Sequence, residues 1–342
     1  MNLEKNLTTK IKEYAYDLGF SLIGITNSEE IGNIDFYNQW IENGYAGEME
    51  YLKRNIEKRH NPKELLPETK SIVCLAYNYY TNYEPKKFKI AKYALNNDYH
   101  DFFKEKINLL FEYIKTLDPS ITGRTYVDTA PILERELAVR AGLGWIGKNT
   151  LLVNNKKGSY FLLGEIFLNI DLNYDNPFNK NHCGSCNRCM IACPTNAIIK
   201  EGVLDASKCI SYLTIESKNN IPEEHINNLN GYILGCDICQ DVCPWNKTFA
   251  SITHEENFQK RPWIDNLDIE DLLKLDQETF SKTFKNSPIK RAKLKGFLRN
   301  IIAMISKSKD KKYLSILDEL AKNEEEIIKN QAILAIKKIN EQ

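Results

Sequence analysis

Eight of the chain's nine cysteines lie between Cys183 and Cys243. Cys183, Cys186, Cys189 and Cys193 follow the spacing C-x2-C-x2-C-x3-C, with Pro194 next; Cys236, Cys239 and Cys243, followed by Pro244, repeat all but the first member, and Cys209 lies between. Thiolates in such a run hold iron-sulfur cubanes, three on one cluster and the fourth, before proline, on the other. With Cys209 as the missing member, Cys183, Cys186, Cys189 and Cys243 are expected to bind one [4Fe-4S] cluster, and Cys193, Cys209, Cys236 and Cys239 the second. Zinc prefers separated C-x2-C pairs, and disulfide frameworks belong to small secreted chains, so both are weaker readings of this run. The ninth cysteine, Cys74, sits in the apolar run 72–76 and reads as a buried strand residue.

Three other stretches carry polar groups where chemistry is possible. The run Thr125-Tyr126-Val127 reads as a strand that delivers Asp128 at its end, and Pro131 then opens a helix. A polar side chain at a strand end can face a site, although capping the helix accounts for Asp128 equally well. The turn Gly142-Leu143-Gly144-Trp145-Ile146-Gly147-Lys148-Asn149-Thr150 permits close backbone approach to a ligand and offers donors at Lys148, Asn149 and Thr150, but its spacing is neither a phosphate loop nor a dinucleotide fingerprint. Residues 285–300 hold six basic residues and no acidic one, a pattern that fits a phosphate backbone or a solvated basic helix.

The elements that must position these groups are legible as periodicities. Ile11, Tyr14, Ala15 and Leu18 predict a helix ending at Gly19, before the strand Leu22–Ile25, and Tyr37, Trp40 and Ile41 predict another ending at Gly44. Phe103, Ile107, Leu110, Phe111 and Ile114 share one face of a helix that stops at Asp118-Pro119. Residues 151–153 and 160–163, around the turn 154–159, read as a hairpin. Alternating strands and helices to about residue 172 give an α/β or α+β half; from about residue 267 the chain reads as short helix pairs. A length of 342 residues with 42% hydrophobic content supports several packed units, and a formal charge of zero confines any polyanion contact to a local patch. The polar amino terminus and the lack of a long apolar run predict a cytoplasmic protein off the membrane, as oxygen-sensitive clusters require.

Together these segments resemble the epoxyqueuosine reductase family, cobalamin-dependent enzymes that complete queuosine synthesis in tRNA. The resemblance is carried by Gly47-Glu48-Met49 with Arg54-Asn55 and Lys58-Arg59, Ala91-Lys92-Tyr93-Ala94 with Asp98-Tyr99-His100, Val127-Asp128-Thr129-Ala130-Pro131 with Glu134-Arg135, the 142–150 turn, residues 209–216, and Ser287-Pro288-Ile289-Lys290-Arg291. It spans residues 8–342 and departs from the family at Ala130, where many relatives have glycine, and in a short tail ending at Gln342.

The resemblance implies an α+β protein in three parts: a mixed α/β cobalamin-binding catalytic domain over 1–172, a ferredoxin-like dicluster [4Fe-4S] domain over 173–266, and an α-helical HEAT-like repeat over 267–342 that helps hold tRNA. The implied reaction reduces epoxyqueuosine to queuosine at the wobble position, using cob(I)alamin fed by the two clusters. Asp128 would be the proton donor, its pKa raised by burial against the corrin. The family positions imply that base-off cobalamin meets Arg54, Tyr99, His100, Gly144, Lys148, Asn149, Thr150, Asn154 and Ser159, and that Lys290, Arg291, Lys293, Lys295 and Arg299 meet the tRNA anticodon arm. A ferredoxin or flavodoxin would supply electrons to a monomer. A reductive dehalogenase-like enzyme and a dicluster electron-transfer protein are the alternative readings.

Overall fold

The computed structural model describes residues 3–32, 34–308 and 310–341. Two eight-residue runs with hardly an exposed side chain need cover on both faces, and they lie side by side in the middle of a four-stranded antiparallel sheet. Strand β1 (Leu22–Asn27) pairs with β2 (Ser71–Asn78). After the short β3 (Lys89–Ile90), β4 (Gly123–Tyr126) forms the far edge; β5 (Trp145–Ile146) and β6 (Leu152–Val153) pair with each other; and β7 (Phe161–Leu168) inserts between β2 and β4. The expected hairpin across 154–159 is therefore corrected. Both faces of β7 are covered along most of its length, so it pairs inside the sheet, and a single bridge, Asn154 to Gly158, closes the turn before it.

The same half carries helices α1 (Leu3–Asp17), α2 (Ile34–Glu42), α3 (Ile56–His60), α4 (Tyr99–Leu117) and α5 (Glu134–Arg140). The two-residue period of the central strands divides them between two cores. Val73, Leu75, Tyr77, Leu162, Ile166 and Leu168 pack with Ile11 and Ala15 of α1 and Phe103, Ile107, Leu110 and Ile114 of α4. Ile72, Cys74, Ala76 and Phe167 face the opposite way, onto Leu137 and Ala138 of α5, and Cys74 is 1% exposed. Glu165 belongs to this second face by its place in β7, and it is 1% exposed.

The cysteine-rich segment is made of short pieces: α6 (Arg188–Ala192), β8 (Ile198–Lys200), β9 (Val203–Leu204), α7 (Ile210–Ile215), α8 (Glu223–Ile226), β10 (Tyr232–Leu234), α9 (Ile238–Asp241) and α10 (Pro244–Phe249). Helix α6 packs against α9 and β8, and β10 runs parallel to β3, tying the segment to the first half. Helices α11 (Ile269–Leu273), α12 (Gln277–Thr283), α13 (Lys293–Ile305), α14 (Leu314–Leu320) and α15 (Glu326–Asn340) complete the chain. Leu272, Leu273, Ile301, Ile302, Ile305, Leu317, Ile328 and Ala332 bury their side chains, whereas Ile333 is 49% exposed.

The boundary expected at residue 267 does not divide the cores. The helical core takes in Phe88, Ile90, Ala94 and Leu95 from the first half and Ile233 and Leu234 from the cysteine segment, because the β3–β10 ribbon lies against α13. Among the described residues, no helix is long and apolar enough to cross a membrane.

Candidate active site and cluster ligands

Asp128 lies two residues beyond β4, at φ +54°, and the amide of Thr129 donates to the carbonyl of Val127 across it at 2.5 Å. A three-residue turn with positive φ at its centre is a strained form. The amide of Asp128 donates to Glu134 Oε1 at 2.9 Å, at the start of α5. Its carboxylate faces the amino-terminal end of α4, where Asp98 caps the helix by accepting from the amide of His100. That capping turn sets Tyr99 and His100 on Asp128. The Tyr99 hydroxyl donates to Asp128 Oδ2 at 3.1 Å, His100 Nε2 lies 3.1 Å from the same oxygen, and His100 Nδ1 lies 2.6 Å from Asp98 Oδ1. The two rings stack, with centroids 4.2 Å apart.

Flanked by two carboxylates, His100 is pushed up to about 9, chiefly by its bond to Asp128 and then by that to Asp98. At neutral pH both ring nitrogens therefore carry protons and donate. The same contact holds the Asp128 carboxyl below its ordinary range, against the effect of burial. With the Asp128 side chain 52% exposed, loss of solvent counts for less than a charged partner at hydrogen-bond distance. The raised carboxyls lie behind it. Burial and the charge of Asp128 push Glu134 up to about 7, and burial followed by the charge of Glu134 pushes Glu165 well above the usual range.

The glycine-rich turn joins this site from one side. The Arg135 guanidinium donates to the carbonyl of Thr150, which sits at φ +67°. Asn149 is buried, and its Nδ2 has no hydrogen-bond partner. The other residues expected to meet the cofactor on this stretch make contacts within the protein. Asn154 Nδ2 donates to the carbonyl of Leu143 at 2.7 Å while its Oδ1 accepts from the amide of Lys156 at 2.8 Å. Ser159 Oγ accepts from Gln240 Nε2 at 3.2 Å and from Asn246 Nδ2 at 2.9 Å. Lys148 Nζ bonds Glu201 at 2.6 Å and lies in the field of Cys183 and Cys186. Gly144 is needed for packing, since a Cβ there would collide with the carbonyl of Val153. Arg54 is exposed on the loop before Asn55, whereas Arg59 is buried, its Nε without a partner.

The thiols form two groups. Cys189 feels the charge of Cys183 and Cys243, and Cys243 that of Cys183 and Cys186. Cys236 feels Cys209 and Cys193, and Cys239 feels Cys209 and Cys236. Members of each expected quartet thus lie near one another, and Cys239 also feels Cys189 of the other. Indole Nε1 of Trp145 lies 3.5 Å from Cys183 Sγ, and the amide of Ala197 donates to Cys193 Sγ at 3.3 Å. Trp145, Phe178, His182 and Trp245 pack edge and face around the first group.

Residues 182–246 match a family described as a 4Fe-4S double cluster binding domain, and residues 59–129 match one described as Epoxyqueuosine reductase QueG, DUF1730. The epoxyqueuosine reductase of Cyclobacterium marinum is 43% identical over 87% of this chain and 96% of its own length. The chain belongs to the epoxyqueuosine reductase family. Two solved structures of that family each cover 98% of this chain and 90% of their own. One is an epoxyqueuosine reductase with a tRNA-Tyr epoxyqueuosine-modified stem loop, 33% identical with a TM-score of 0.90. The other is the Bacillus subtilis enzyme with its aspartate catalytic loop swung out of the active site, 32% identical with a TM-score of 0.89. The epoxyqueuosine reductase fold thus runs through nearly the whole chain, and two [4Fe-4S] clusters belong to it.

The basic segment of the chain is only partly a surface. Lys290, Lys293 and Lys295 are exposed, the last 3.5 Å from Glu325. Arg291 is exposed, pairs with Glu216 at 3.0 Å, and is near enough to lower the Asp128 carboxyl. Arg299 is a correction. It is 1% exposed, and its guanidinium donates to the carbonyls of Leu213, Ser217 and Asn219 and to Asn300 Oδ1, so no donor is turned to a phosphate. Charge count alone missed this because Arg299 falls on the face of α13 that carries Ile302. Sequence reading also missed Glu165, whose signal is a lone carboxylate in the apolar run 161–168.

Proposed function

We infer that this chain reduces epoxyqueuosine to queuosine at the wobble position of tRNA. The observation that carries the reading is Asp128, held on a strained turn between a charged histidine, a tyrosine and a half-buried glutamate, with Arg291 of the basic segment in its field. Electrons enter through two [4Fe-4S] clusters, and we assign their ligands as the two quartets, Cys183, Cys186, Cys189 and Cys243, and Cys193, Cys209, Cys236 and Cys239. A low-potential ferredoxin or flavodoxin is the chemically suitable donor.

Clusters pass one electron at a time, so two-electron chemistry at carbon needs a further carrier. The residues present fit cobalamin: Asn149 Nδ2 and Arg59 Nε are buried donors with no partner, as amide carbonyls on the rim of a large ligand would require. Asn149, Thr150, Tyr99 and His100 are the residues we place around it, within the unit that ends near residue 172. When bound, cobalamin supplies the strongly reducing centre that ring opening demands. The balance is two electrons and two protons per epoxide, which leaves an alkene and water.

The chain's own part is to place the substrate and move protons. Lys290, Arg291, Lys293 and Lys295, on the helical module with HEAT-like texture, meet the phosphates of the anticodon arm. As the carbon–oxygen bond breaks, negative charge grows on oxygen, and the Asp128–His100 pair, which holds one proton between its acid and base, delivers it there. Asp128→Asn is expected to lower turnover about 10²–10⁴-fold while iron content and tRNA affinity stay unchanged. The assay is mass spectrometry of the nucleoside after reaction with cobalamin and a reductant. Full turnover by this variant removes Asp128 from the chemistry.

A further inference from the structure

We infer that Glu134 is a positioning residue for Asp128, its carboxylate acting as the latch that holds the strained turn closed. The inference rests on the reading of Asp128 as the proton-delivering residue, and it concerns a group that acts through the Asp128 amide.

Asp128 is an unfavourable residue for its backbone conformation. A side chain at φ +54° in a three-residue turn relaxes to an open loop unless something outside the turn holds it. Glu134 Oε1 accepts the Asp128 amide at 2.9 Å from the first turn of α5, a helix packed on β2 and β7 and therefore fixed. The choice of residue is costly. Glu134 lies beside the charge of Asp128, with the buried Glu165 facing the same region from β7, and one oxygen of Glu165 has no hydrogen-bond partner. Arg135 and Arg59 offset only part of this crowding. A half-buried carboxylate at a site already rich in carboxyls weakens the fold unless its acceptor is needed, because a neutral side chain would pack there at lower cost. Here the acceptor is spent on the amide of Asp128.

The latch predicts a division of labour. Glu134→Met keeps the bulk and removes the acceptor, whereas Glu134→Gln keeps an acceptor oxygen and removes the charge. On chain with both clusters loaded, Glu134→Met should lower kcat about 10–100-fold, with KM for the modified tRNA within about twofold, matching the loss of one charge-assisted hydrogen bond. Glu134→Gln should recover most of that loss. Independently of turnover, hydrogen exchange in the peptide covering residues 126–132 should speed up in Glu134→Met and stay slow in Glu134→Gln. Added to Asp128→Asn, Glu134→Met should change the residual rate less than about twofold, because the latch acts through Asp128.

Unchanged exchange at the turn in Glu134→Met overturns the latch, as does faster exchange with wild-type kcat or an additive loss in the double variant. If Glu134→Met fails to fold, Glu134→Ala carries the same measurements and the same outcomes. The two readings fail separately. Full turnover by Asp128→Asn together with faster exchange in Glu134→Met sinks the role of Asp128 in catalysis and leaves the latch as a purely conformational contact.

Discussion

A histidine with a carboxylate on each ring nitrogen keeps its second proton well past neutrality, and His100 has Asp98 on one side and Asp128 on the other. Its ordinary value of 6.5 is pushed up to about 9 in the folded chain. The folded state therefore binds a proton that the unfolded state has released, and the stabilisation is complete below pH 6.5, declines as pH rises and is lost through pH 9. About a third of the imidazole is in water, so the contribution is discounted to roughly 1–2 kcal/mol. Anaerobic denaturation of the wild type should lose that much stability relative to His100→Gln between pH 6.5 and 9. Parallel curves across that window would show that the pair does not share a proton in the folded protein. For the reaction, the same shift keeps the Asp128–His100 pair loaded at the pH of the cell, which a lone aspartate half-open to water could not achieve.

Helix α13 shows what charge patterning can and cannot reveal about an element. Lys290, Lys293 and Lys295 are on the outside, as the basic run predicts, but Arg299 serves as a polar pin between α13 and the chain after α7. The planar fork of arginine reaches three carbonyls at once, and lysine cannot reproduce that geometry. Arg299→Lys should cost about 2–4 kcal/mol, read as a lower thermal midpoint, without changing the tRNA affinity of the folded protein, whereas Lys290→Ala with Lys293→Ala should weaken tRNA binding and leave the midpoint in place. A loss of affinity at unchanged stability in Arg299→Lys would return that residue to the RNA surface. The same distinction explains why other parts of the site were hidden. Asp128 was legible because a strand ended there and a proline followed. Glu165 was not, since its meaning depends on α5 crossing β7 and setting Glu134 opposite. Strand β7 itself read as half of a hairpin, because local turn signals say nothing of a gap between β2 and β4 that only an eight-residue, two-faced apolar strand can fill. Ser159 looked like an exposed turn donor until Gln240 and Asn246, some eighty residues later, came to lie against it, and Asn154 turned inward onto the carbonyl of Leu143.

At the scale of the whole molecule, connections far apart in sequence keep the electron path and the site in one body. The β3–β10 ribbon joins residues 89–90 to 232–234, Lys92 bonds Asp241 at 2.7 Å, and the helical core closes over Phe88 and Leu95 as well as its own helices. A boundary drawn by composition at residue 267 could not show this, since each segment is apolar enough to suggest a core of its own. The crossed quartets we propose would be the same device applied to the clusters: each would take one ligand from the far side of the stretch, so that neither cluster could assemble on a fragment. Cys243→Ser should therefore empty the cluster of Cys183, Cys186 and Cys189, while Cys193→Ser should empty that of Cys209, Cys236 and Cys239. Each single variant is expected to retain about half the wild-type iron. Electron paramagnetic resonance of the reduced proteins would show a different surviving signal in each. In the crossed arrangement Cys243→Ser loses the same signal as Cys186→Ser; if Cys193→Ser lost that signal instead, the quartets would be sequential, and the path from donor to Asp128 would have to be redrawn.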